Sequence, residues 1–223
     1  MRRKKRENKK RLYMVLILLL LLALLTAAGT ISWLTKVSSI TNTFTVGAFE
    51  KPKTSPTDPT KPITIDGNIY EPSWNSEEEH RLVPSVTFAK DPYVGIGAGS
   101  EDAVVYVYVE NSFTNKVYFS INSDWEAVPG ETTAGYKDGT YTSGLFKYTA
   151  GLTAADDEDV WTSTPLFSEI STDDSSEISD FTETADGKTE IKVSSFLHQA
   201  KDSDGTAIPA ATIEEAAKTT FGI

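Results

Sequence analysis

An all-β fold is predicted for this chain, in the form of an antiparallel β-sandwich with one short C-terminal helix. Segments rich in β-branched and aromatic residues recur about every 8–12 residues, a spacing typical of sandwiches. Turn-forming Asp-Gly pairs precede several of them, at 66–67, 138–139 and 186–187. A helical pattern appears only near the C-terminus. Strands followed by one late helix favour this class over an α/β fold.

The clearest strand runs from Ala103 to Val109, with the sequence AVVYVYV. Such a run is either buried on both faces or belongs to one face of a sandwich with its tyrosines outward. Val117 to Ile121 is expected to be its hairpin partner, across a turn at 111–115. Further strands are predicted at 63–65, 86–88, 93–96, 141–148 and 189–199.

The terminal helix is predicted from Pro209 to Phe221. Proline suits the first turn of a helix, because its missing N–H would have no intrahelical partner there. Ile213, Ala217 and Phe221 recur at every fourth position and form one apolar face. This face is expected to pack against the sandwich.

The first 32 residues are expected to be a signal peptide. Met1 to Arg11 holds eight Lys or Arg against Glu7, a charge of about +7, and Leu12 to Leu25 is an unbroken apolar run. Small residues follow the run. Its length is short of the roughly 20 residues of a spanning helix, but extending it to Ile31 would suffice, so an uncleaved membrane anchor stays open. In both cases the remainder lies outside the cell.

Three segments follow the signal. Residues 33–50 are predicted to contain a strand, because Ile40, Asn42, Phe44 and Val46 alternate with threonines and then Gly47. Residues 51–62, KPKTSPTDPTKP, indicate an extended linker or exposed loop. Residues 63–223 are then the β-sandwich domain, large enough for a hydrophobic core without disulfides.

The sequence around the end of the apolar run resembles a known export signal. The stretch from Gly29 to Thr35, GTISWLT, followed by TNTFTVG at 41–47, is similar to the signal of the TasA/camelysin family, whose members are processed by a SipW-type signal peptidase. The resemblance implies cleavage between Ser32 and Trp33, with Thr30 and Ser32 as the small residues that the peptidase reads. The Trp-Leu-Thr after the cut departs mildly from the family pattern, and cleavage after Ala28 is the competing interpretation.

A second stretch resembles the same family. Residues 82–110, LVPSVTFAKDPYVGIGAGSEDAVVYVYVE, contain a Lys-Asp-Pro and an Ala-Gly-Ser-Glu-Asp sequence before the central strand, although Ser85 stands where glycine is usual. The resemblance implies a jelly-roll type of sandwich. Its matching motif residues are Lys90, Asp91, Pro92, Ala98, Gly99, Ser100, Glu101 and Asp102.

Most catalytic chemistry finds no support in the sequence. The chain has no cysteine, no His-Glu-x-x-His and no Gly-x-Ser-x-Gly, so no cofactor, metal centre or enzymatic activity is expected. A zinc site from His80, His198 and a carboxylate would need distant loops to meet. Asp202-Ser203-Asp204-Gly205 opens like a calcium loop, but its twelfth position is Ile213 rather than glutamate, so a solvated loop is the default.

Charge and motifs together predict a secreted or cell-surface structural protein. The chain carries −11, so the part after Arg11 carries about −18, which disfavours nucleic acid and anionic membranes as partners. The resemblance implies a biofilm-fibre subunit, and the strand at 40–47 suits β-strand addition to a neighbour, with Ile40, Phe44 and Val46 filling its groove. The same strand can instead pair within its own domain. A membrane-anchored or wall-associated binding module is the alternative, and a camelysin-type metallopeptidase is less expected.

Overall fold

A computed structural model describes residues 43–74, 82–177 and 190–223. These residues contain eleven strands and one helix, which confirms the prediction of an all-β sandwich with a single C-terminal helix. The elements in chain order are β1 (Thr43–Val46), β2 (Ile69–Tyr70), β3 (Thr87–Ala89), β4 (Tyr93–Ile96), β5 (Ala103–Asn111), β6 (Val117–Tyr118), β7 (Trp125–Ala134), β8 (Tyr141–Tyr148), β9 (Val160–Trp161), β10 (Glu169–Thr172), β11 (Ile191–Gln199) and α1 (Ala210–Phe221).

The strands form one large and two small sheets. The five-stranded sheet has the order β1-β11-β5-β8-β7, and the three-stranded sheets have the orders β3-β10-β6 and β2-β4-β9. All pairings among these strands are antiparallel except one: β1 runs parallel to β11. A parallel partner cannot be a hairpin neighbour, so β1 is added to the sheet edge from far along the chain.

The core between the sheets is built on β5. Val105, Val107 and Val109 are fully buried in a cluster with side chains of both small sheets. Tyr106, which points to the opposite face because side chains alternate along a strand, is buried against α1. Of the two possibilities for AVVYVYV, the structure has the strand that is buried on both faces.

The expected hairpin between residues 103–109 and 117–121 is wrong. β5 is paired along its whole length with β11 on one side, and residues 106–109 are paired with β8 on the other. The short strand β6 therefore pairs with β10 in a different sheet. The two segments are still connected through a side chain, because the Asn111 amide donates a 3.0 Å hydrogen bond to the Val117 carbonyl.

Helix α1 covers the outer face of the large sheet, as its apolar pattern predicted. Ile213 and Ala217 are buried against Leu145 and Phe196. The helix ends where Gly222 adopts a left-handed conformation and its N–H caps the last turn. Lys218 joins the helix to the sheet through an ion pair of 3.4 Å with Glu131 of β7.

Candidate functional site

The most informative feature for function is the edge strand β1. Thr43, Phe44, Thr45 and Val46 are in register with Ser195, Phe196, Leu197 and His198 of β11, respectively. β11 is held on its other side by β5 over nine residues. The candidate assembly strand is therefore attached to its own domain through four residue pairs at the sheet edge.

The residue after β1, Gly47, allows the chain to change direction. Its φ of +130° lies in a region that L side chains rarely adopt. A Cβ atom there would also lie 3.1 Å from Phe49 Cε2 and 3.2 Å from Gln199 Cβ. Glycine is thus required at the point where β1 leaves the sheet.

Immediately after Gly47, the chain is fixed by the loop that carries the Ala-Gly-Ser-Glu-Asp sequence. We name residues 48–54 the anchored segment. The Glu101 N–H donates to the Ala48 carbonyl at 3.2 Å, the Gly97 N–H donates to the Glu50 carbonyl at 2.8 Å, and the Glu50 N–H donates to Ser100 Oγ at 2.9 Å. Gly97 has no room for a side chain, since a Cβ would lie 2.6 Å from the Lys51 carbonyl oxygen.

Asp159 fixes the far end of the anchored segment. Its Oδ2 accepts three hydrogen bonds of 2.7 Å, from the N–H groups of Lys53 and Thr54 and from the Thr54 hydroxyl, while Oδ1 accepts the Ala98 N–H at 3.3 Å. Partial burial raises the pKa of this carboxyl, but the four donors outweigh that effect and the pKa is lowered from its ordinary value. A single carboxylate thus joins the anchored segment to the motif loop.

Residues 51–62, expected to be a linker, form a loop that is held to the domain. Besides Asp159, the Trp161 indole N–H donates to the Thr54 carbonyl at 3.1 Å. The loop closes on itself through a bridge between Thr54 and Pro62, and Ser55 is buried. The proline- and threonine-rich composition predicts an extended linker or an exposed loop, but it does not reveal the distant carboxylate and indole that hold this loop to the domain.

Replacement of Asp159 by asparagine should weaken this attachment in a pH-dependent way. The charged acceptor is lost, so we expect the free energy of unfolding to fall by about 1–2 kcal/mol at neutral pH. Because the folded-state pKa is lowered, the stabilisation is present above the ordinary value of 3.8 and disappears as the pH drops through the folded-state pKa. Denaturant titrations should therefore show the two proteins converging in acid. A difference that stays constant would contradict this role.

The Lys-Asp-Pro motif holds a different loop. Lys90 Nζ lies 2.7 Å from Glu71 Oε2 and 4.4 Å from the centre of the Trp74 ring. The Asp91 carboxylate accepts two hydrogen bonds of 2.8 Å from the N–H and hydroxyl of Ser73. The Pro92 carbonyl accepts the Leu166 N–H at 2.9 Å. These contacts are structural, and they tie residues 71–74 to the end of β3 and the start of β4.

Asp102 completes the motif at the start of β5. Its side chain lies 3.1 Å from Lys201 Nζ and accepts the Ala154 N–H at 3.1 Å. The hydrogen bond from Lys201, followed by that from Ala154, lowers the pKa of the Asp102 carboxyl. Gly99, with φ of +78°, supplies the tight turn before it and donates its N–H to the Ala155 carbonyl.

Several predicted residues lie outside the described part of the chain. These are the cleavage residues, two of the assembly-strand residues and one of the histidines: Thr30, Ser32, Trp33, Ile40, Asn42 and His80. The apolar run at 12–25 lies outside it too. In residues 43–74, 82–177 and 190–223, no helix is long and apolar enough to cross a membrane.

Residues that could bind a metal are not grouped in the part of the chain that the structure describes, where no three His, Asp or Glu side chains come together. The calcium-like sequence at 202–205 is an exposed turn. Asp202 Oδ1 accepts the N–H groups of Asp204 at 3.0 Å and Thr206 at 2.9 Å. This carboxylate therefore stabilises its own turn.

Sequence reasoning missed Glu71, Ser73 and Asp159 as partners of the motif residues. Asp159 belongs to the acidic run at 156–159, but nothing in that run distinguishes it from its neighbours. Its partner Thr54 is 105 residues away along the chain. Of the motif residues at 98–102, the structure brings Ser100 and Glu101 to the segment that follows β1, and Ala98 to Asp159.

Comparison with known proteins adds no assignment: no protein-family model matches this chain, and neither a curated protein nor a solved structure matches it significantly.

Proposed function

We propose that this chain is a secreted structural protein, a subunit of an extracellular fibre or matrix that assembles by β-strand addition after its signal is cleaved. The observation that carries the proposal is β1: a short strand at a sheet edge, with a glycine hinge at Gly47 and a fixed segment behind it. It is a strand that can leave one domain and take the same place in another.

The exchange needs no new contact surface. When β1 leaves β11, the exposed edge offers the same backbone groups to a β1 from a second subunit, in the same register. Each subunit then gives a strand at one place and receives one at another. Such a contact is head-to-tail, and when its rotation does not close into a ring it builds a filament.

The opposite edge of the large sheet is built to resist pairing. β7 contains Pro129, which has no N–H to donate, next to Gly130 at φ of +84°, and the register shifts between Ala127 and Thr132. Charged residues Glu126 and Glu131 flank this irregularity. Growth of the sheet is therefore favoured at the β1 edge.

Truncation tests the proposal directly. We expect a protein of residues 33–223 to form filaments, and one of residues 47–223 to remain monomeric, because it lacks β1 but keeps the anchored segment. Electron microscopy and sedimentation at physiological salt, where the acidic subunits repel less, measure the difference. Circular dichroism and thermal unfolding show whether the shorter protein is folded. Equal filament formation by two folded proteins would refute strand addition.

The N-terminal sequence of the exported protein tests whether the signal is cleaved before assembly. Protein recovered from the medium should begin at Trp33, since cleavage after Ser32 would free the segment before β1. Protein that stays in the membrane fraction with Met1 intact would instead favour the anchored binding module.

A further inference from the structure

A recess of about 560 Å³ lies where strand β11 ends and strand β5 begins. Gln199 and Ala103 are opposite each other in this antiparallel pair, so the chain that leaves β11 and the chain that enters β5 meet at the same end of the sheet. Polar residues from both lie close together there, with Lys201 Nζ 3.1 Å from Asp102 Oδ2. Pockets for small ligands have volumes of about 300–1,000 Å³, so the recess is large enough for one.

The walls of this recess are fixed by hydrogen bonds within the domain. The Ala200 N–H donates to the Asp102 carbonyl at 2.9 Å, and the Ala154 N–H donates to the Asp102 carboxylate at 3.1 Å. The turn that follows β11 is closed by the Asp202 N–H, which donates to the Thr206 carbonyl at 2.9 Å. Because these segments are already held in place, a ligand would not have to order them, and little binding free energy would be lost in doing so.

Three polar side chains that line the recess make no hydrogen bond or ion pair with any residue that the structure describes. They are the Glu101 carboxylate, the Gln199 amide and the Ser203 hydroxyl. Gln199 is half-buried, so its amide is partly removed from water without gaining a partner in the described protein. Together the three groups offer both donors and acceptors. The recess is therefore suited to a ligand that carries several hydrogen-bonding groups.

The charges and the lining of the recess exclude most other kinds of ligand. Glu101, Asp102 and Asp202 outnumber Lys201, and the chain after Arg11 carries about −18, so anions are repelled. Lys201 already pairs with Asp102, and no three His, Asp or Glu side chains come together among the described residues, which disfavours a metal ion. The described lining holds no aromatic or large aliphatic side chain, so an apolar ligand would gain little there. A neutral ligand rich in hydroxyl groups fits best.

We propose that this recess binds a neutral polysaccharide through a short stretch of its sugar units. Neighbouring hydroxyl groups of a sugar donate two hydrogen bonds to one carboxylate, here that of Glu101, and hydrogen bonds to a charged acceptor are about twice as strong as neutral ones. The Gln199 amide and the Lys201 ammonium donate to the remaining hydroxyl oxygens, and the Ser203 hydroxyl either donates or accepts. The site lies within one subunit, so the proposal holds whether or not filaments form.

Nuclear magnetic resonance on the isotope-labelled full-length chain measures the binding, in a detergent without a sugar headgroup that would compete. The probes are hexasaccharides of glucose, mannose, xylose and N-acetylglucosamine, with oligogalacturonate and calcium chloride as the anionic and cationic controls. At least one neutral probe should shift the amide signals of residues 100–102 and 199–205 saturably, at concentrations up to about 10 mM, above the range of weak specific complexes. Failure of every neutral probe, stronger binding of a charged control at these residues, or shifts confined to other residues would overturn the proposal.

Two variants and a matched control distinguish the recess from the rest of the acidic surface. Glu101→Ala should weaken binding of the neutral probe by about tenfold or more, the effect of losing a hydrogen bond to a charged group, and Ser203→Ala should weaken it by about two- to tenfold. Glu169→Ala removes an exposed glutamate from β10, in another sheet, and should leave the affinity unchanged. Thermal unfolding checks that all three proteins are folded. Equal affinities of the Glu101→Ala and Glu169→Ala proteins would refute the site.

Discussion

A disulfide that ties β1 to its own β11 is expected to abolish filament formation, and its reduction is expected to restore it. Thr43 and Ser195 are opposite each other in the parallel ladder. Neighbouring strands in a sheet lie about 4.7–4.9 Å apart, and this separation is within the Cα–Cα range that a disulfide spans. The double variant Thr43→Cys with Ser195→Cys therefore locks the strand when it is oxidised as a monomer. Because β1 is the only part that moves in the proposed exchange, the locked protein should remain soluble.

The same variant should become cross-linked between subunits when assembly precedes oxidation. Filaments assembled under reducing conditions and then oxidised should yield a ladder of covalent multimers on a non-reducing gel, since each cysteine on β1 now faces one on the next subunit. The reduced variant is the control for folding and assembly. Locked monomers that assemble as well as reduced ones would show that β1 stays in its own domain and that the fibre, if any, is built through another surface.

A strand could be predicted from the sequence where its own local pattern of residues was strong enough. The run AVVYVYV specifies β5 because all of its residues except Ala103 are β-branched or aromatic and favour a strand, and most of them are buried. The two faces of that strand could not be assigned from sequence, since the cover over Tyr106 is α1, which lies at the other end of the chain. Helix α1 was itself predictable, because its apolar spacing and Pro209 are local signals.

It was much harder to predict from the sequence which strands pair with each other than where the strands lie. Residues 117–121 follow β5 closely, and a hairpin is the simplest expectation for neighbours in sequence. β11 and β8, both from later in the chain, occupy the two edges of β5 instead. The parallel pairing of β1 with β11 could not be predicted for the same reason. Strands that are distant in the sequence compete for the edges of the sheet, and no local sequence pattern indicates which strand pairs there.

The motif residues at 90–92 and 98–102 show the same division. They were singled out by a family resemblance that stays a prediction, and the sequence did not indicate the partners that several of them contact in the structure. Ser100 Oγ accepts a hydrogen bond from the Glu50 N–H, and the Ala98 N–H donates one to Asp159. Lys90 Nζ donates one to Glu71. Glycine and serine in sequence indicate a tight turn. Which segment of the chain binds to that turn depends on the tertiary fold, which the local sequence does not specify.

The largest loss of stability from a charged residue is expected at Lys90. Its ion pair with Glu71 is short, at 2.7 Å, and nearly buried, with side chains 8% and 18% exposed. Glu71 Oε1 already has no hydrogen-bond partner. Lys90→Ala would leave a buried carboxylate uncompensated, so we expect the free energy of unfolding to fall by about 3–5 kcal/mol. Lost contact with the Trp74 ring adds to this effect.

The pair between Lys192 and Glu110 provides a matched control within the same protein. Its distance is also 2.7 Å, but the side chains are 30% and 50% exposed. Lys192→Ala should cost at most about 1 kcal/mol, because water solvates the glutamate that remains. The double variant Lys90→Met with Glu71→Leu should recover much of the stability lost in Lys90→Ala, since both charges are then removed. Denaturant unfolding measures all of these values, and equal losses for the two single lysine variants would show that burial of the Lys90 pair has no energetic consequence.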